Sequence, residues 1–213
     1  DWGARRISFP SDLAAAAGIL ADLVEEHPQD ADAWSLYASI LQADGKPDEA
    51  VEAFARAGEI NPYRLPDRLN HMILLVELQR FDEAKKVIDK LEAVLPNSPG
   101  VNYAQARLAM TDGDPERAVQ ELDAVLKVSP QHSPSLYLSA NANLQRGNLA
   151  TAQAQLESFL RVRPGNVNAT LMLATVHLQS GAPDKALTLS RSVLEALPEN
   201  ETAKLIMARS LAA

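Results

Sequence analysis

Residues 31–64 read ADAWSLYASILQADGKPDEAVEAFARAGEINPYR, and this stretch decides the fold. Its apolar residues recur at spacings of four and three in each half: Trp34, Ala38 and Leu41, then Ala50, Phe54 and Ala57. Because an α-helix turns about 100° per residue, each trio lies on one helix face. Gly45 separates the trios where a left-handed residue commonly ends a helix. Pro47 suits the first turn of the second helix, and Pro62 ends that helix. The stretch therefore predicts an antiparallel hairpin of two helices, A and B.

The same pattern returns every 34 residues, in three series that keep one register. The prolines are Pro28, Pro62, Pro96, Pro130, Pro164 and Pro198, and the alanines are Ala16, Ala50, Ala84, Ala118, Ala152 and Ala186. The glycines are Gly45, Gly113, Gly147 and Gly181, with Gln79 in the one gap. A fixed period of this length predicts stacked helical hairpins. We therefore expect an all-α fold of eleven to thirteen helices in a right-handed superhelical solenoid.

The period divides the chain into repeats. We expect a single array over 1–213, with a partial repeat at 1–30, full repeats at 31–64, 65–98, 99–132, 133–166 and 167–200, and a partial repeat at 201–213. A B-helix at about 11–27 and an A-helix at about 201–212 would lack their partners, which indicates a piece of a longer array. Leu205, Ile206 and Leu211 of the last helix are therefore expected to lack cover and to contact a second molecule, with end-to-end self-association as one outcome.

The repeat resembles the tetratricopeptide (TPR) family in the residues that define its two helices. The large–small–large trio of the A-helix, the trio of the B-helix and Pro62 all match the family pattern. Later repeats depart from it, since Arg68, Asn102, Leu136 and Thr170 replace Trp34. The resemblance implies a scaffold that binds a protein or peptide in a concave groove lined by the A-helices.

The stripe one residue beyond the packing stripe of each A-helix is the candidate groove surface. Its first two positions in the five full repeats are Ser35 and Ser39, Leu69 and Ile73, Tyr103 and Arg107, Tyr137 and Asn141, and Leu171 and Thr175. The tyrosines are expected to be rigid anchors on adjacent helices. Arg107 and Asn141 are expected to hold main-chain or carboxylate groups. Alternatively, the aliphatic residues and the tyrosines pack between neighbouring A-helices.

Several other classes of function are not expected. Some TPR domains hold chaperone C-termini with a clamp of Lys, Asn, Asn, Lys and Arg, of which only Asn141 has a match here. With 28 acidic and 20 basic residues the net charge is −8, which argues against nucleic acid as a partner. The chain has no cysteine, no histidine pair at helical spacing, and no phosphate loop or GxSxG sequence. We predict no enzyme activity, no cofactor, no metal and no direct membrane insertion.

The C-terminal half, from LKVSPQHSPSLYLSANANLQRGNLATAQ onward, is similar to bacterial TPR lipoproteins of the PEP-CTERM/exosortase type. It also looks like the periplasmic TPR scaffolds of exopolysaccharide secretion. These resemblances imply a periplasmic or cell-envelope location, in a bacterial exopolysaccharide or protein-sorting system. The alternative is a cytoplasmic TPR adaptor or chaperone. The first residues, DWGARRISFP, lack the apolar core of a signal peptide, and there is no cysteine for a lipid anchor.

Overall fold

The computed structural model describes residues 9–213, and all regular structure in this range is α-helical. Residues 1–8 of the expected partial repeat 1–30 lie outside the described residues. Twelve helices follow in order: α1 Phe9–Glu26, α2 Ala31–Ala43, α3 Pro47–Ile60, α4 Leu65–Glu77, α5 Phe81–Val94, α6 Pro99–Thr111, α7 Pro115–Val128, α8 Ser133–Gln145, α9 Leu149–Val162, α10 Val167–Gln179, α11 Pro183–Ala196 and α12 Glu201–Leu211. The prediction of an all-α fold of helical hairpins is confirmed, with even-numbered A-helices and odd-numbered B-helices.

The A–B turns have the geometry that the glycine series predicts. Gly45, Gly113, Gly147 and Gly181 have φ angles between +72° and +77°, and Gln79 takes the same left-handed conformation at +60°. This region is open to glycine without strain but costs an ordinary residue energy. Asp114 caps the helix that follows one of these turns, because its Oδ1 accepts a hydrogen bond from the Arg117 amide at 3.0 Å.

The helices form two compact units, one ending at Ala104 and the other beginning at Gln105, so that the boundary falls within α6. In the first unit each of the helices α1 to α4 packs against the next. In the second unit α7 to α11 do the same, and α10 also contacts the A-helices on either side, α8 and α12. The single continuous array over 1–213 stays a prediction.

Small residues bring the helices of each hairpin close together. The alanine series of the B-helices is fully buried from the second member onward, at Ala50, Ala84, Ala118, Ala152 and Ala186. Larger apolar side chains fill the space around them, such as Phe54 and Leu91 in the first unit and Leu156 in the second. This alternation of small and large residues gives the close packing of a protein interior.

The α8–α9 hairpin also has polar side chains in its interior. Asn143 is 2% exposed, and its Nδ2 donates to the Ser139 carbonyl at 3.0 Å and to Gln155 Oε1 at 3.3 Å. Asn148 Nδ2 donates to Asn143 Oδ1 at 3.2 Å, and Gln155 Nε2 donates to Ser139 Oγ at 2.7 Å. The buried amide of Asn143 is therefore hydrogen-bonded at both ends, which removes most of the cost of burying it.

The expectation for the last helix is wrong at one residue. Ile206 is 5% exposed and belongs to a core cluster with Leu171 and Val193. The reason is that α12 packs against both α10 and α11, and Ile206 lies on the side that faces them. Leu205 and Leu211 remain 52% and 66% exposed. No helix between residues 9 and 213 combines the length and hydropathy that crossing a bilayer requires.

Candidate groove on the A-helices

An open groove of about 320 Å³ lies on the A-helices of the second unit. It is lined by Tyr137 and Leu144 of α8, by Asn168, Leu171, Met172 and Thr175 of α10, and by Thr202 of α12. The volume is at the lower end of the range of about 300–1,000 Å³ for ligand pockets. Three residues of the predicted stripe, Tyr137, Leu171 and Thr175, thus lie around one concavity.

Tyr137 is half-buried at the edge of this groove. Its ring packs against Phe159 of α9 with 5.3 Å between the ring centroids and a tilt of 48°. Burial raises the pKa of its hydroxyl above the usual value, so the phenol is neutral at physiological pH. The packing fixes the ring, and a fixed aromatic ring loses little conformational entropy when a ligand covers it.

Other stripe residues of the second unit are partly used by the protein itself. Leu171 is 7% exposed and belongs to the core, as the packing alternative expects. The Thr175 hydroxyl donates to the Leu171 carbonyl at 2.9 Å, which leaves its oxygen free only to accept. Asn141 is half-buried, and its Oδ1 accepts from Gln145 Nε2 at 3.3 Å.

In the first unit two stripe residues, Ser35 and Leu69, contact neighbouring A-helices. Ser35 donates to Oδ1 of the buried Asp67 at 2.6 Å, and the exposed Ser39 donates to the Ser35 carbonyl at 3.0 Å. Leu69 packs so close to α6 that a Cβ on Gly100 would lie 3.1 Å from its Cδ1. Ile73 is half-buried. Ser35 and Leu69 therefore have internal roles, which fits the packing alternative at these positions.

The two predicted anchors lie on different sides of the unit boundary. Tyr103 and Arg107 are half-buried residues one turn apart on α6, with Tyr103 in the first unit and Arg107 in the second. Tyr137 belongs to the second unit. That Tyr103 and Tyr137 stand side by side stays a prediction.

Two residues that line the groove, Asn168 and Thr202, were not among the predicted site residues. Asn168 and Thr202 are the second residues of the A-helices α10 and α12, and they lie at equivalent positions of successive repeats. Leu205 follows Leu171 by 34 residues and thus continues the stripe onto α12. The 34-residue period of the repeat predicts this position for Leu205.

A second, smaller cavity of about 70 Å³ lies between α3, α4 and α5. Arg68 and His71 of α4 line it, and burial lowers the pKa of His71 to about 4. Arg68 Nη2 donates to the Gly58 carbonyl at 2.9 Å, and its side chain packs over Gly58, where an added Cβ would lie 3.4 Å from Arg68 Nε. This explains how an arginine replaces the large apolar residue of the repeat. The cavity is too small for a peptide.

Within residues 9–213, no three histidine, aspartate or glutamate side chains are grouped so that they could hold a metal ion.

Comparison with known families gives matches along almost the whole described chain. One tetratricopeptide repeat model matches residues 11–67 and 41–108, and another matches residues 103–152 and 137–201. No curated protein matches the sequence significantly.

Solved structures share the fold at low sequence identity. A chain of the APC/C hetero-tetramer Cut9–Hcn1 is 17% identical over 94% of this chain with a TM-score of 0.84, and this chain spans 40% of its length. PilW, described as a widely conserved type IV pilus biogenesis factor, is 22% identical, with a TM-score of 0.78 and coverage of 92% of this chain and 91% of PilW. YrrB, described as a TPR protein with an unusual peptide-binding site, is 16% identical, with a TM-score of 0.60 and coverage of 88% and 96%.

Proposed function

Because the chain belongs to the tetratricopeptide repeat family, we propose that it is a protein-interaction scaffold whose A-helix groove holds a segment of a partner protein. TPR proteins are generally non-catalytic and bind proteins or peptides. The observation that carries the proposal is the groove across α8, α10 and α12, with Tyr137 fixed at its edge. The peptide-binding site ascribed to YrrB supports a peptide as the ligand, since that protein has the same fold.

We place the scaffold in a bacterial cell envelope, in a system of exopolysaccharide secretion or protein sorting, with a periplasmic location. The similarity of the C-terminal half to envelope TPR lipoproteins supports this, and so does the shared fold of the pilus biogenesis factor PilW. The alternative is a cytoplasmic adaptor or chaperone. Fractionation of cells that make the native protein separates the two, because recovery in the cytosolic fraction would exclude the envelope role.

End-to-end self-association is a second proposed contact. Leu211 is 66% exposed at the end of α12, whereas Leu41 and Leu75, at the equivalent position of α2 and α4, are at most 1% exposed. A second copy would remove this apolar surface from water. Sedimentation velocity of the wild type and of Leu211→Glu tests the contact, and a wild type that stays monomeric at high concentration would exclude it.

The groove is tested by removing both tyrosines of the stripe. Tyr103→Ala with Tyr137→Ala should weaken binding of a partner found by pull-down and mass spectrometry at least about tenfold, because buried aromatic anchors commonly contribute about 2 kcal/mol each. Tyr63→Ala is the matched control, since Tyr63 is a 72% exposed tyrosine outside the stripe.

Circular dichroism must show a native fold in each variant. Unchanged affinity of a folded double variant would move the binding site to another surface and reduce the tyrosines to packing residues.

A further inference from the structure

The groove of the second unit is uncharged. Charged residues make up 23% of the sequence, yet none of the seven side chains that line the groove carries a charge. A charged ligand group would lose part of its hydration in the groove without meeting a counter-charge there. The lining therefore favours a ligand that is itself uncharged.

The polar groups of the groove suit a peptide main chain. Asn168 and Thr202 are exposed, so an amide and a hydroxyl are presented from adjacent A-helices. The Thr175 oxygen offers an acceptor, because its proton is used in the bond to the Leu171 carbonyl. Such neutral donors and acceptors match the alternating N–H and C=O groups of an extended segment.

An exposed apolar residue, Leu205, lies on α12 beside the groove but is not among its lining residues. Leu205 lies three residues beyond Thr202, which is about 60° around the helix, so the two residues share one side of α12. It is 52% exposed. On the adjacent A-helices, the same repeat position holds Leu171 and Tyr137, both of which line the groove.

We infer that the ligand is an uncharged, extended polypeptide segment of about six residues, which runs from Tyr137 to Leu205 and places an aliphatic side chain against Leu205. This inference rests on the proposed function and specifies its ligand. Packed helices are about 8–10 Å apart, so α8 and α12 are separated by about 16–20 Å. At about 3.3 Å per residue, five or six extended residues cover that distance.

The experiment selects peptides from a random library displayed on phage against the whole 213-residue chain. The expected winners share a run of about six uncharged residues with at least two aliphatic side chains. A synthetic winner should bind with an affinity that changes less than about twofold between about 0.05 and 0.5 M NaCl. The seven lining side chains are uncharged, and the exposed charged neighbours of Leu205 on α12, Glu201 and Arg209, have opposite signs.

Variants of α12 locate the contact. Leu205→Glu should weaken the synthetic winner at least about tenfold and Leu205→Ala about threefold. The matched control is Leu197→Glu, since this leucine at the end of α11 is 45% exposed and does not line the groove. It should leave the affinity within about twofold of the wild type.

The outcomes separate this inference from the proposed function. Winners rich in acidic or basic residues that still require Tyr137 would overturn the inference and leave the proposed function standing. Winners that bind Leu205→Glu as tightly as the wild type would also overturn the inference and leave the proposed function standing. Winners that are indifferent to both Leu205→Glu and Tyr137→Ala would overturn both.

Discussion

Replacing Gln79 by glycine should stabilise the protein. Gln79 occupies the left-handed position of the turn between α4 and α5, with φ at +60°. The equivalent turns at Gly45, Gly113, Gly147 and Gly181 have a glycine there. In this conformation the Cβ of an ordinary residue crowds the backbone, whereas glycine has no Cβ.

The expected magnitude follows from two opposing effects. Left-handed backbone costs an ordinary residue about 1–2 kcal/mol. Glycine gives the unfolded chain additional freedom worth about 0.4–1 kcal/mol. Gln79→Gly should therefore raise the free energy of unfolding by about 0.5–1 kcal/mol. The matched reverse change is Gly113→Gln. An added Cβ there would meet no heavy atom within 4 Å, so the loss of stability comes from the backbone conformation alone.

Urea unfolding followed by far-ultraviolet circular dichroism measures both changes. At an m-value of about 2–3 kcal/mol/M, the midpoint should rise by about 0.2–0.5 M for Gln79→Gly and fall by a similar amount for Gly113→Gln. The slope must stay unchanged for the comparison to report stability. A lower midpoint for Gln79→Gly at constant slope would refute the reasoning, because the glutamine side chain would then contribute more than its backbone strain costs.

The remaining predictions concern packing, pH and binding. Ala152→Leu should lower the free energy of unfolding by about 1–3 kcal/mol, because it overpacks a fully buried site. Ala154→Leu, on the exposed face of the same helix, should be nearly neutral. Equal melting temperatures of the two variants would contradict this prediction. Since burial lowers the pKa of folded His71 to about 4, the unfolded state binds more protons between that value and 6.5, and stability is lost as the pH falls through this window. From about pH 7 to 5, the free energy of unfolding should fall about 2 kcal/mol more in the wild type than in His71→Gln, and parallel curves from urea titrations would exclude the effect. For the groove, the tyrosine double variant and Leu205→Glu should each weaken binding at least about tenfold, as measured by titration with labelled ligand.

The sequence predicts the helices and turns of this fold well, because their determinants are local. The spacing of apolar residues determines which face of each helix is buried. The A–B turn requires a left-handed backbone conformation, which glycine adopts without strain. Even the exception at Gln79 keeps the left-handed turn, because the helices packed on either side hold the conformation.

The groove was predictable only in part, because exposure depends on neighbouring helices. Tyr137, Leu171 and Thr175, which belong to the predicted stripe, line one concavity. The repeat register did not reveal that Ile206 is buried while the adjacent Leu205 is exposed, since both are apolar and only the packing of α12 on α10 and α11 separates them. The hydrogen bond between Ser35 and Asp67 joins residues 32 positions apart, and no local sequence pattern predicts it.

The amide network of α8 and α9 bears on how near-identical hairpins avoid exchanging partners while the chain folds. A B-helix that docks on the wrong A-helix would still meet a similar small-and-large apolar surface, and such misassembly is a typical failure of repeat proteins. If α9 docked on α2, Gln155 would face Tyr37 and Leu41, at the repeat positions that Ser139 and Asn143 occupy in α8. Its amide would lose the bonds it makes to those two residues. Because Gln155 is only half-buried, the cost is below the roughly 1–3 kcal/mol of a fully buried polar group without a partner. The polar network thus favours α8 over α2 as the partner of α9 and disfavours that exchange of hairpins.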